Sequence, residues 1–175
     1  TQSRAALRIV YLHQYFLTPE MSGGTRSYEM ARRLVSAGHE VHMITTDQRR
    51  EDAEPSWRES TEGGIHVHWA HVPYDNRMGF VRRLVAFFSF ALKATAQTAR
   101  LKADIIFATS TPLTIAIPAV LVSRWKRIPF VFEVRDMWPD VPIAIGAIRQ
   151  PLVVWLARWL ELTAYRSATH VVALA

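Results

Sequence analysis

Cysteine is absent from the 175 residues. That excludes disulfide bridges and thiolate metal sites, and it agrees with a reducing compartment. Acidic residues are short: 15 Asp and Glu stand against 21 Lys and Arg, for a formal charge of +6. Such a surplus favours anionic partners, whether nucleotides, phospholipid headgroups or nucleic acid. No apolar run reaches the roughly 20 residues of a membrane-spanning helix. The opening residues Thr1-Gln2-Ser3-Arg4 lack the apolar core of a signal peptide. Glycine is scarce, at 7 residues. The dinucleotide fingerprint G-x-G-x-x-G, the phosphate loop G-x-x-x-x-G-K-S/T and the nucleophile elbow G-x-S-x-G are all missing. What remains is a globular composition, 50% apolar, long enough for one domain with a substantial core.

Leu7 to His13 is short, β-branched and apolar, and predicts a buried strand. A proline-punctuated loop, residues 14–20, leads into Met21-Ser22-Gly23-Gly24-Thr25-Arg26. The spacing of Met30, Ala31, Leu34 and Val35 predicts a helix over Tyr28 to Ala37, closed by Gly38. Glu40 to Thr46 is a second strand, so the first 46 residues form a βαβ unit with parallel strands. Asp47 to Gly64 is polar and charged, and reads as a long surface loop. Alternation predicts a strand over Ile65 to Val72, and apolar content predicts a helix over Gly79 to Lys102. A strand over Asp104 to Thr109 meets Ser110-Thr111-Pro112, a hydroxyl cap with proline in the first turn of a helix reaching about Lys126. Pro129 to Val134 is a strand that delivers Arg135-Asp136-Met137-Trp138-Pro139-Asp140 to a loop. A helix over Leu152 to Arg166 carries Leu152, Trp155, Leu156, Trp159 and Leu160 on one stripe, and His170 to Ala175 is a final strand.

Strands alternating with helices in this way predict an α/β fold, a doubly wound parallel sheet of Rossmann-like type. Ligands of such sheets bind beyond the carboxyl ends of the strands. The glycine stretch, Ser110-Thr111 and Arg135-Asp136 each follow a strand, so all point to one edge. At Gly23-Gly24 the backbone is free of Cβ atoms. The helix that follows aims its free N–H groups and dipole at the loop, which suits a phosphate.

Two other stretches admit two readings each. His66 and His68 share one strand face, which suits a metal; they also suit the wet face of a strand near a sheet edge, and no carboxylate lies close in sequence to complete a site. No metal is expected. The helix over 79–102 is apolar almost all round at its middle, with Arg82, Arg83, Lys93, Arg100 and Lys102 along it. It fits a core helix covered on two sides, or an interfacial helix in the headgroup region.

The stretch Gly23-Gly24-Thr25-Arg26-Ser27-Tyr28-Glu29-Met30-Ala31-Arg32-Arg33-Leu34, with Ala37-Gly38-His39-Glu40-Val41, resembles the N-terminal half of retaining GT-B glycosyltransferases of family 4. Phe132-Glu133-Val134-Arg135-Asp136-Met137-Trp138-Pro139-Asp140 resembles one branch, bacterial transferases of O-antigen, capsule and colanic-acid type, including fucosamine-transferase-like proteins. The resemblance covers nearly the whole chain. Two departures stand out: Arg135 occupies a position where many relatives carry histidine, and Ala168-Thr169 replaces a small residue followed by Asp.

The resemblance implies a two-domain enzyme whose N-terminal, acceptor-side domain is residues 1–175, with a donor-binding C-terminal domain to follow. A donor diphosphate, expected to belong to a uridine diphosphate sugar, would meet Gly23, Gly24, Thr25 and Arg26. Asp136 would orient an acceptor hydroxyl or accept its proton, or else pair with Arg135 as a structural carboxylate. Trp138 would stack on a sugar or pack. His13, Ser110, Thr111 and Glu133 join Trp138 as candidate acceptor contacts. A retaining enzyme needs no protein nucleophile, and the isolated domain would lack turnover. The acceptor in this branch is usually lipid-linked, which would give the helix over 79–102 a purpose at the inner face of the cytoplasmic membrane. The alternative is a non-catalytic α/β module that binds an acceptor or a partner. Basic residues are spread over several helices, so nucleic acid is not expected.

Overall fold

The structure is a computed structural model that describes residues 5–47, 56–74 and 78–174. Seven strands form one sheet in the order β3-β4-β2-β1-β5-β6-β7. They are β1 (Arg8–Leu12), β2 (Glu40–Thr46), β3 (Trp57–Glu62), β4 (Ile65–Ala70), β5 (Ile105–Thr109), β6 (Phe130–Val134) and β7 (His170–Ala173). All neighbours are parallel except β3, which runs antiparallel to β4. Helices cover both faces, as the alternation of strands and helices predicts.

The period of two sorts each central strand between two cores. Val10, Leu12, Ile44, Ile106, Ala108 and Phe132 face one side. Helices α2 (Phe80–Arg100), α3 (Ala116–Lys126) and α5 (Pro151–Ser167) lie there: Phe90 and Ala94, Ala119 and Val120, and Ala164 join that core. Ile9, Tyr11, Val41, Met43, Val67 and Phe107 face the other side, where α1 (Arg26–Ser36) lies and supplies Ala31. Helix α1 ends as its sequence predicts: Gly38 has φ +91°, and the Gly38 and His39 amides donate to the Val35 and Leu34 carbonyls at 2.9 and 3.1 Å. Among the described residues no helix is long and apolar enough to cross a membrane.

Three expectations need correction. The stretch 47–64 is not all loop: its C-terminal part is β3, joined to β4 through Gly63 and Gly64, both with positive φ. Residues 48–55 of that stretch lie outside the described residues. The polar sequence Trp-Arg-Glu-Ser-Thr-Glu hid the strand, because an edge strand with one wet face needs few apolar residues. Second, Ser110 and Thr111 cap no helix. The chain instead enters α3 through a turn of 3-10 helix at Leu113–Ile115, and both hydroxyls are drawn across to the loop after β6. Third, His68 is buried, and only His66 is wet. Carboxylates absent from the local sequence arrive through pairing: Glu59 from β3 lies 3.0 Å from His68 Nδ1, and Glu40 lies 2.9 Å from His42 Nε2. The helix α4 (Asp140–Ala144) was not foreseen in the loop after Asp136.

Candidate functional site

Between β1 and β5 the chain changes direction across the sheet: β2 lies on one side of β1 and β5 on the other. This is the switch point at which loops separate and leave a crevice. A cleft of about 400 Å³ opens there, lined by His13 and Tyr15 after β1, Leu17 and Gly24 before α1, Thr111 after β5, Arg135 and Asp136 after β6, and Leu174 after β7.

The floor is held by Glu133, the penultimate residue of β6, whose side chain is 1% exposed. One carboxylate oxygen accepts from Arg26 Nη2 at 2.9 Å. The other accepts from the Thr109 hydroxyl. A buried carboxylate needs such donors to stay charged. Glu133 therefore ties the first turn of α1 to β5 and β6, and it does not line the cleft.

Arg135 does not pair with Asp136. Its Nη1 approaches His13 Nε2 at 3.4 Å and Ser27 Oγ at 3.5 Å, while its backbone N–H donates to Ser110 Oγ at 2.9 Å. The guanidinium thus reaches from β6 across β5 toward β1 and α1. His13 is buried, and its pKa is pushed down to about 3, first by desolvation and then by the Arg135 charge. The imidazole is neutral, so the cleft keeps one fixed cation beside an uncharged ring.

Asp136 is exposed on the cleft wall and accepts a hydrogen bond from the Thr111 hydroxyl. Among the described residues no ion pair engages it. Thr111 has φ +109°, a conformation costly for a β-branched residue. Strain at a cleft residue whose hydroxyl holds a wall carboxylate marks the position as one that the fold sustains against local preference.

Gly23 and Gly24 differ. Gly23 has φ +136°, and a Cβ there would sit 2.3 Å from Leu17 Cδ1. Gly24 has open space on that side and lines the cleft. Thr25 immediately precedes α1, with its carbonyl accepting from the Glu29 amide at 2.9 Å. Trp138 is half-buried against the core formed with α2, α3 and α5, away from the wall. Ser110 is buried. Of the residues singled out in sequence, His13, Gly24, Thr111, Arg135 and Asp136 meet at the cleft. Tyr15, Leu17, Ser27 and Leu174 were missed. Ser27 lay within the glycine-loop motif, and Tyr15 and Leu17 lay between strand and loop, so position relative to the strand end was the signal available.

Residues 23–175 match the family described as "Glycosyl transferase 4-like domain". No curated protein matches the chain. The fold is similar to the catalytic domain of starch synthase IV from Arabidopsis thaliana, solved bound to ADP and acarbose, with TM-score 0.54 and 17% identity over 75% of this chain and 34% of that one. It is similar to sucrose-phosphate synthase from Thermosynechococcus elongatus, with TM-score 0.59 and 13% identity over 94% and 41%. It also resembles the C-terminal domain of a hydrogenase from Pyrococcus furiosus, with TM-score 0.51 and 13% identity over 71% and 89%. At these identities the likeness shows the fold alone. The chain spans well under half the length of the two synthases.

Proposed function

The chain belongs to the glycosyl transferase 4-like domain family, and on that premise we propose that it is the acceptor-side domain of a retaining sugar transferase. The donor is a nucleotide-diphosphate sugar, with uridine as the first base to test. The acceptor is a lipid-linked saccharide of bacterial surface polysaccharide synthesis, and α2 brings the domain to the membrane that holds it. The observation that carries this reading is the meeting of Gly24, Thr111, Arg135 and Asp136 at one cleft on the switch point.

As the bond from the anomeric carbon to the diphosphate breaks, negative charge grows on the leaving oxygen. The α1 N-terminus behind Gly24 and the fixed Arg135 cation offset that charge. The acceptor hydroxyl attacks from the face that the diphosphate leaves, so no protein nucleophile is used. Asp136 orients this hydroxyl and takes its proton, with the Thr111 hydroxyl holding the carboxylate in place. A second domain completes the diphosphate contacts, so residues 1–175 alone bind donor weakly.

A screen of the complete chain with uridine, guanosine and adenosine diphosphate sugars tests the reading. Release of one nucleoside diphosphate, dependent on a lipid-linked acceptor, is expected. No release with any donor, from a folded protein, contradicts it.

A further inference from the structure

The outer surface of the α2–α3–α5 layer is apolar where a surface helix is normally polar. Along α2, Val81, Val85, Phe88 and Leu92 recur at helical spacing on the side opposite the buried Ala86, Phe90 and Ala94. Leu92 is 69% exposed. On α3 the outward pair is Leu121 and Trp125, the latter 71% exposed. On α5 it is Leu152, Trp155, Trp159 and Leu162, turned away from buried Ala164, with Trp155 61% exposed. Of the stripe that the sequence places on this helix, Leu152, Trp155, Leu156 and Trp159 face outward, while Leu160 packs against the core. The three helices pack side by side on one sheet face: α2 contacts α3, and α3 contacts α5.

Charge on this layer is predominantly basic. Helices α2 and α3 contain no Asp or Glu, and α5 contains only Glu161, which accepts a bond from the Tyr165 hydroxyl at 3.0 Å. Arg82, Arg100, Arg124, Arg158 and Arg166 stand exposed along the three helices; Arg158 also reaches Asp140 of α4 at 3.3 Å, and Arg124 donates to Ser167 Oγ at 2.9 Å. The fold thus gathers basic residues that look scattered in sequence.

We propose that the α2–α3–α5 face as a whole lies on an anionic lipid bilayer, with the outward Leu, Val, Phe and Trp side chains in the headgroup–acyl boundary and the arginines at the phosphates. This rests on the reading of the acceptor as lipid-linked, and it extends the membrane contact from one helix to three. Apolar area with interspersed cations and almost no acid is the composition of an interfacial surface. Phe88, Trp125, Trp155 and Trp159 offer rings to a base, but Val81, Val85, Leu92, Leu121, Leu152 and Leu162 between them are aliphatic, which suits acyl chains better than nucleic acid. A path joins this face to the cleft. Phe87 of α2 stacks on Tyr74 at 6.0 Å, and Tyr74 lies 5.6 Å from Tyr15 in the cleft wall. Beside that path a groove of about 500 Å³, lined by Val72, Pro73, Val81 and Val85 among others, opens under the N-terminal half of α2.

The test uses the complete chain with phosphatidylcholine vesicles, with and without phosphatidylglycerol, some carrying brominated acyl chains. Flotation with the anionic vesicles is expected, with tryptophan emission quenched by bromine. Replacing Trp125, Trp155 and Trp159 with Phe removes most of the quenching while flotation continues. Charge reversal by Arg124→Glu with Arg158→Glu weakens vesicle binding at least about tenfold. The milder pair Arg124→Gln with Arg158→Gln gives a smaller loss in the same direction. Transfer to a water-soluble acceptor analogue stays at the wild-type rate in these variants, so the catalytic reading is scored separately. Quenching unchanged by the three Phe replacements overturns the proposal. So do vesicle binding indifferent to both charge variants, a dimer that buries these tryptophans, and release from vesicles by added nucleic acid.

Discussion

Arg26 Nη2 lies 2.9 Å from Glu133 Oε1, an ion pair joining the first turn of α1 to the end of β6 across the intervening strands. Its two ends are unequal: the Arg26 side chain is 50% exposed and that of Glu133 is 1% exposed. Removing the arginine leaves a buried carboxylate with one donor fewer. Removing the carboxylate leaves an arginine free to reach water.

The first prediction follows from this inequality. Arg26→Met costs about 1–3 kcal/mol of unfolding free energy, the penalty of a buried charge that has lost a partner. In the double variant with Glu133→Gln that cost falls, and the coupling is about 1 kcal/mol after screening at the exposed end. Urea denaturation of the four proteins measures it. Strict additivity would show that the pair does not hold α1 to the sheet.

Adjacent glycines are expected to behave differently. Gly23→Ala must place a Cβ against Leu17 at φ +136°, and loses about 1–3 kcal/mol. Gly24→Ala meets open space and leaves stability within about 0.5 kcal/mol. It narrows the cleft and lowers transfer. Thermal unfolding and donor KM on both variants separate the two roles.

Thr111 combines strain with a contact. With φ +109°, Thr111→Gly is expected to be more stable than Thr111→Ala by about 1 kcal/mol, because only glycine relieves the backbone. Both lose the hydroxyl that holds Asp136, so both lose transfer activity to a similar degree. Parallel melting curves and transfer rates check this. Equal stability of the two variants would mean that the conformation at residue 111 carries no strain.

His13 gives a pH signature. Its folded pKa is pushed down to about 3 by desolvation and Arg135, while the unfolded value is about 6.5. Between these values the unfolded chain binds a proton that the folded chain refuses. Stability therefore falls as pH drops through this window, by up to about 1.4 kcal/mol per unit from this group. His13→Asn removes the term. Its unfolding free energy, titrated from neutral pH down to about 4, should decline less steeply than the wild type's.

Much of this was legible in the sequence, because the signals were local. Apolar β-branched runs marked the central strands, Gly38 marked the end of α1, and the alternation of elements fixed which strand ends share an edge. That brought Gly24, Thr111, Arg135 and Asp136 to one edge, while His13 entered only as a candidate acceptor contact. Misses came where a residue's role depends on a distant partner. The partner of Arg26 was one such role: the sequence does not show that Glu133, 107 residues away, accepts from one of its nitrogens. Ser110 and Thr111 have the composition of a helix cap, but the loop after β6 offers closer partners. Strand β3 is polar because it is an edge. The apolar stripe of α5 was visible, but periodicity does not say which way a stripe faces.

On the proposed function, the switch-point cleft performs the sugar transfer. It is tested most directly by transfer rates of the complete chain and its Asp136→Asn variant, with the donor found in the screen and a lipid-linked acceptor. Loss of about a hundredfold or more in kcat, with melting temperature unchanged, is the predicted result. Transfer at the wild-type rate by Asp136→Asn would contradict it.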